Sequence, residues 1–399
     1  MLTDLQLDRY ADVLFWALKT ARKKRFKKGD LILLRYHLAA LCLAERLYAR
    51  ILEAGMHPVH RLLLTRQMEL DFYQLSDKRQ LAYHPPGSET FFGALNGSIY
   101  LYGPESITHL SDVDPARIGK ATKAYGKLKK ILDARDEAGD FGWTLCMLPT
   151  GAPAKQAELD LETYTEQVVK ACFLDHPDPV AQWREVLRQA GELKKWLKSL
   201  PVESIHVESV HVDMVITPGE KRKWIGISGH NIPSFEIFLS PDWRGTQGVY
   251  FANLPSFRNG NRVEGVKIEF EKGHAVKIGA DKGEAFVQKQ AAMDPGASRV
   301  GEFSLTDKRF SKIDRFMANT LFDENFGGPH GNCHVALGSS YTDSYDGDPH
   351  TLTKKEKQRL GFNDSALHWD FVNTEDKRVS ALLKSGQRIT LYENGQFAH

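Results

Sequence analysis

The chain reads as an α/β protein in two parts, and three observations carry that reading. Its 399 residues exceed the size at which a single hydrophobic core keeps growing. The first half alternates short apolar runs with long amphipathic helical patterns, which implies parallel strands joined by helices. After Leu200 the texture changes to short alternating β segments separated by Gly, Pro and Asn turns. We therefore expect an N-terminal Rossmann-like α/β domain over residues 1–200 and a C-terminal mixed α+β domain over residues 201–399.

From Leu7 to Thr20 apolar residues recur at helical spacing (Tyr10, Val13, Leu14, Ala17, Leu18), and the turn at Lys27-Lys28-Gly29-Asp30 follows. Leu31–Leu34 is a strand, Leu38–Ala54 a helix closed by Gly55, and His60–Thr65 a second strand. This unit lacks both GxGxxG and GxxxxGK[ST] at its first strand–helix turn, so the scaffold has no phosphate-cradling loop. Ser98–Tyr102 and Trp143–Leu148 are further strands, with a lysine-rich helix over Ile118–Asp136 between them. Two helices fill Leu159–Leu200. The second opens at Asp178-Pro179 and carries the stripe Val180, Trp183, Val186, Leu187, Ala190, Leu193, Trp196, Leu197, whose tryptophans fit a buried face. Beyond it, Ser204–Val215, Val249–Ala252 and Val266–Glu271 read as strands.

Composition narrows the function. With 42% hydrophobic and 26% charged residues the chain falls in the globular range. Lys and Arg number 53 against 51 Asp and Glu, so no chain-wide field recruits nucleic acid or an anionic membrane. The basic run Arg22, Lys23, Lys24, Arg25, Lys27, Lys28 reads as a solvated surface beside a helix end. Cys42, Cys146, Cys172 and Cys333 are far apart and form no CxxC pair, which fits reduced thiols in a cytoplasmic protein. There is neither a signal-peptide pattern nor an apolar run of the ~20 residues a membrane span needs.

Four stretches of the C-terminal half carry chemistry. In Ser365-Ala366-Leu367-His368-Trp369-Asp370-Phe371-Val372, His368 and Asp370 are two apart on a strand and project from one face. That pair suits Zn²⁺, Co²⁺ or Mn²⁺, and equally a structural His–Asp hydrogen bond. Around His334, the segment Asn332–Tyr341 follows Asp323-Glu324-Asn325 and a glycine-rich link, which fits either converging ligands or a surface loop. Glu236 and Glu302 are single carboxylates in apolar settings, where burial without a partner costs several kcal/mol. Each needs a positive neighbour, either a metal or a cation such as Arg299 or Arg309.

These stretches, in this order, resemble the thermophilic metallo-aminopeptidase family of the aminopeptidase T and aminopeptidase S type. Supporting blocks are Trp183 after Asp178-Pro179, Arg222-Lys223-Trp224-Ile225, Thr320-Leu321-Phe322-Asp323-Glu324-Asn325 and Leu391-Tyr392-Glu393-Asn394-Gly395, and the similarity runs from Lys28-Gly29-Asp30 onward. The resemblance implies a C-terminal catalytic domain with a dinuclear site held by Glu236, Glu302, His334, Tyr341, His368 and Asp370. Glu324 matches a further carboxylate, although a longer link to His334 leaves His330 as the alternative. It also implies two divalent ions (Zn, Co or Mn), short peptide substrates and a homodimer.

Such a donor set, without thiolate, suits hard-to-borderline metals and does not choose among them. Two ions would activate water and polarise a peptide carbonyl, and one could hold a free α-amine, which confines cleavage to the N-terminal residue. Glu302 and Glu324 are both candidates for the general base, and Tyr341 for a ligand or an oxyanion donor. The rivals are a catalytically idle metal- or peptide-binding protein and another dinuclear hydrolase. No Arg- or Lys-rich loop accompanies the ligand segments to hold phosphate.

Overall fold

The computed structural model describes residues 1–399. The chain forms two compact units, Met1–Trp183 with Ser228–Ser234, and Arg184–Ile227 with Phe235–His399. The sequence places the change at Leu200, where the β texture begins, whereas the backbone divides inside the helix Pro179–Ser199. A helical stripe is continuous across that point, so nothing in the residue pattern marks it. The returning segment Ser228–Ser234 supplies only the two-residue strand Asn231–Ile232, too short to show a period.

The first unit is built on a parallel sheet in the order His57–Leu62, Leu31–Tyr36, Gly97–Tyr102, Gly142–Met147, Asn231–Ile232. Helix Asp4–Ala21 starts at a capping box between Thr3 and Gln6 and buries the expected stripe Tyr10, Val13, Leu14, Ala17, Leu18. Two boundaries move. The helix expected from Leu38 begins as a 3₁₀ turn, Leu38–Ala40, before Leu41–Glu53. The second strand starts at His57, because its ladder runs from Leu31 opposite His57 to Tyr36 opposite Leu62. Helices Arg66–Leu75 and Ser88–Ala94 have no counterpart in the sequence pattern; the first buries no residue fully, which leaves it little apolar periodicity. Trp183 is core, stacked on Trp16 at 6.5 Å and edge-on to Phe173 at 5.3 Å.

The second unit contains an eight-stranded antiparallel sheet in the order His274–Gly279, Val266–Glu271, Gln247–Ala252, Asp213–Ile216, Val202–Ser209, Lys377–Leu383, Arg388–Glu393, Gln396–Phe397. The expected single strand Ser204–Val215 is a hairpin of two of these. Trp196 corrects the buried-face reading: it is only partly buried and stacks on the terminal His399 at 5.1 Å. No helix is long and apolar enough to cross a membrane.

A second antiparallel sheet in this unit has the order His368–Asn373, Asn332–Gly338, Val300–Thr306, Glu236–Leu239. Its two faces differ. Alternate residues Ile237, Leu239, Phe303, Leu305, Val335, Leu337 and Phe371 make one face apolar, and all are buried. Tyr250, from the larger sheet, donates its hydroxyl to the carbonyls of Phe371 (2.8 Å) and Cys333 (3.1 Å) and ties the two sheets together. The opposite parity carries the polar residues.

Candidate metal centre

Cross-strand register brings the predicted residues together. Thr306 lies opposite Glu236, Ser304 opposite His334, and Ala336 opposite both Glu302 and Asp370, while Gly338 lies opposite His368. Directly opposed residues share a face, so Glu236, Glu302, His334, His368 and Asp370 all project from one side. The positions between them are small: Ser304, Thr306, Ala336 and Gly338 leave room for the longer side chains to converge. A bulge at Gly301 shifts the register between Val300 and Glu302 and re-aims the latter.

His334 is the hub. Its Nε2 lies 3.1 Å from Glu302 Oε1, 3.3 Å from Glu236 Oε2 and 3.9 Å from Asp370 Oδ1. His368 Nε2 lies 3.5 Å from Asp370 Oδ1 and 3.8 Å from Glu302 Oε2. The other ring nitrogen of His368, Nδ1, is 2.9 Å from the Ser339 carbonyl, which fixes a proton on Nδ1 and turns Nε2 toward the cluster. Arg299 and Arg309, the candidate cations for the glutamates, are engaged elsewhere: Arg309 pairs with Asp307 and Arg299 covers the Trp243 ring at 4.0 Å. The positive partners of Glu236 and Glu302 are imidazoles.

The remaining predicted residues differ in placement. Glu324 ends the short helix Thr320–Asp323, is buried, and feels the charges of Glu236, Asp370 and Glu302. Tyr341, 46% exposed, sits at the rim with its ring edge-on to His368 at 4.8 Å. His330 is directed elsewhere, with Nδ1 3.5 Å from Asp376. Cys333, adjacent to His334, points to the apolar face beside Tyr250. Cys333→Ser is therefore expected to retain metal binding and kcat/KM within about threefold. Metal titration and peptide hydrolysis check this.

Electrostatics describe a pocket that favours added positive charge. Burial, together with the charge of Glu302, pushes the Glu236 carboxyl up to about 8. Burial and the surrounding carboxylates drive Glu324 well above the usual range. Burial alone would lower both imidazoles, but the hydrogen bond that His334 donates to Glu302 and the nearby carboxylates lift His334 to about 9, and Asp370 lifts His368 to about 9. Asp370 opposes its own burial through these two histidines and stays below the carboxylate range.

The donor chemistry fits a metal. One ligand atom each from Glu236, Glu302 and His334 lies within 4.8 Å of the others, and all three residues are buried. Glu302 Oε2 is buried without a hydrogen-bond partner. Four carboxylates share the cluster and no lysine or arginine forms an ion pair with any of them.

Three contributors escape sequence reasoning. Ser304 Oγ donates to Glu236 Oε2 at 3.3 Å, Arg258 Nη1 donates to the His368 carbonyl at 2.8 Å, and Asn325 contacts the Glu236 backbone. Nothing in the residue pattern singles them out, because each acts across a large sequence separation. Gly338 is different, since its role is steric. It has φ +108°, and a Cβ there would lie 2.1 Å from the Leu367 carbonyl, next to His368. Gly338→Ala is expected to cost at least the ~1–3 kcal/mol of a strained backbone residue and to lower kcat/KM more than tenfold. Urea unfolding alongside kinetics measures both.

A buried carboxylate–imidazole cluster on one sheet face, with oxygen and nitrogen donors only, has the makeup of a metal-binding site. The model of the thermophilic metalloprotease (M29) family matches residues 3–397, and the chain belongs to that family. Among curated relatives it is 29% identical to "Aminopeptidase T" of Thermus aquaticus over 310 residues, covering 72% of this chain and 73% of that one. "Aminopeptidase AmpS" of Bacillus subtilis is 27% identical over 324 residues, covering 76% and 78%. "Aminopeptidase 2" of Geobacillus stearothermophilus is 29% identical over 324 residues, covering 77% and 76%. Among solved structures, wild-type AmpT from Thermus thermophilus superposes with a TM-score of 0.80 at 21% identity, covering 98% of this chain and 99% of that one, which shows a shared fold.

Proposed function

We propose that the protein is a metallo-aminopeptidase that removes the N-terminal residue from short peptides. The observation that carries the proposal is the convergence of Glu236, Glu302 and His334 within 4.8 Å, in a family of metalloproteases whose curated relatives are aminopeptidases. Glu236, Glu302, His334, His368 and Asp370, with Tyr341 and Glu324 at the margin, would hold two divalent ions. Zn²⁺, Co²⁺ or Mn²⁺ bound there would supply Lewis acidity toward the scissile carbonyl and the attacking water.

The chain's own groups do the rest. Glu324 in its ionised form takes a proton from water and returns it to the leaving amine, and its burial favours holding that proton between the two events. Tyr341, partly exposed at the rim, donates its phenolic proton toward the oxyanion of the tetrahedral intermediate. One of the two ions would also offer a site for the free α-amine that distinguishes a peptide end from an internal bond. In this reading the first unit is a Rossmann-like scaffold without a nucleotide loop, the second is the catalytic α+β unit, and the protein works as a cytoplasmic homodimer.

Hydrolysis of leucine-p-nitroanilide is expected to vanish on exhaustive chelation and return on addition of Zn²⁺, Co²⁺ or Mn²⁺, while N-acetyl-leucine-p-nitroanilide resists cleavage throughout. Undiminished turnover in protein shown to be metal-free would reject the proposal. Equal cleavage of the acetylated substrate would reject the exopeptidase assignment alone.

A further inference from the structure

One buried side chain between the Glu236 strand and Glu324 has no role in the mechanism above. Asn325 is 0% exposed. Its Oδ1 accepts the backbone N–H of Glu236 at 3.0 Å and that of Phe235. Its Nδ2 donates to the Leu321 carbonyl at 2.9 Å and toward Glu324 Oε1 at 3.5 Å. Both acceptor sites and both donors of the carboxamide are thereby engaged. The preceding Asp323 is also consumed by backbone, accepting the N–H groups of Met317 at 2.7 Å and Asn319 at 2.8 Å. Of three consecutive polar residues, the outer two lock the chain and Glu324 alone faces the cluster.

We infer that Asn325 is a positioning residue for the reaction. Its acceptor edge fixes the start of the Glu236 strand. Its donor edge holds one oxygen of Glu324, so that the other is presented to the proton in transit. The Glu324 contact is the longest of the four, and hydrogen bonds to catalytic groups in free enzymes are commonly long and tighten in the substrate complex. Because one oxygen atom accepts from Glu236 while the nitrogen on the same carbon donates to Glu324, the carboxamide couples the spacing of the two carboxylates. The inference rests on the reading of Glu324 as proton carrier.

Asn325→Asp separates the two edges. It keeps an acceptor for Phe235 and Glu236 and replaces the donor facing Glu324 and the Leu321 carbonyl with another acceptor. We expect kcat to fall about 10–100-fold, the range for groups that orient an active-site residue, while affinity for Mn²⁺ measured by titration stays within about threefold. In a Glu324→Gln background the same substitution is expected to change kcat less than about twofold, because the oriented group is already disabled. Wild-type kcat in Asn325→Asp, or the same fractional loss in both backgrounds, overturns the inference. Should Asn325→Asp fail to fold, the Glu324→Gln/Asn325→Asp double variant, whose introduced amide can donate to the new carboxylate, is expected to regain cooperative unfolding. Failure of both to fold overturns the inference equally. Full activity of Glu324→Gln alone refutes the proton-carrier role itself, a separate result.

Discussion

Asp370→Ala is expected to abolish measurable hydrolysis and to weaken metal binding by more than the ~10–100-fold attributed to residues that only support a ligand. The carboxylate stands between the two imidazoles, 3.5 Å from His368 Nε2 and 3.9 Å from His334 Nε2. Its carboxyl is held below the usual carboxylate range, the charges and hydrogen bond of the histidines opposing its burial. Removing it takes away a negative charge and a donor oxygen at once and leaves two imidazoles facing each other with less to separate them. The strand itself should survive. Asp370 pairs with Ala336 through backbone, and the apolar face behind it, with Trp369 and Phe371, is untouched. Circular dichroism should therefore report a folded protein, while metal analysis and kcat/KM report the loss. Asp370→Asn adds a control of equal size, since the amide keeps shape and loses charge. A folded Asp370→Ala variant with wild-type turnover would remove this residue from the site.

Parity explains why part of the centre is legible in the sequence. His368 and Asp370 are two residues apart on a strand, so their common face follows from the period of the pleat alone. Glu236, Glu302 and His334 stand on three further strands, and no local spacing relates them. Their convergence depends on pairing between strands separated by long stretches of chain, with the Glu236 strand at one edge and the His368 strand at the other. Only the ordered blocks of family resemblance point to them. The small residues between them, Ala336 and Ser304, are uninformative in isolation and become meaningful once the ladders place them among the ligands. The same limit governs the fold. Helix Asp4–Ala21 is visible through its buried stripe and cap, whereas Arg66–Leu75, with no fully buried residue, has little periodicity to read. A lone carboxylate in an apolar stretch announces that a positive partner is needed. It does not announce that the partner is His334, because Arg299 and Arg309 are nearer to Glu302 in sequence and the fold engages them elsewhere.

Glu324→Gln is expected to lower kcat by about 10²–10⁴ while leaving metal content near wild type, the loss associated with removing a general acid–base group. The contrast with Glu302 motivates this division of labour. Glu302 touches both imidazoles, at 3.1 and 3.8 Å, so Glu302→Ala should lose metal together with rate. Glu324 makes no ion pair with either histidine; its one side-chain hydrogen bond is with Asn325, and burial among carboxylates favours its protonated form. Such a group is suited to exchanging a proton. The amide introduced by Glu324→Gln would keep an oxygen for Asn325 Nδ2, so the surrounding packing should hold and the deficit should fall on proton transfer. Metal analysis and single-turnover kinetics on the two variants separate the roles. Loss of metal from Glu324→Gln with retention in Glu302→Ala would exchange the assignments, and full activity in both would move the general base to another residue.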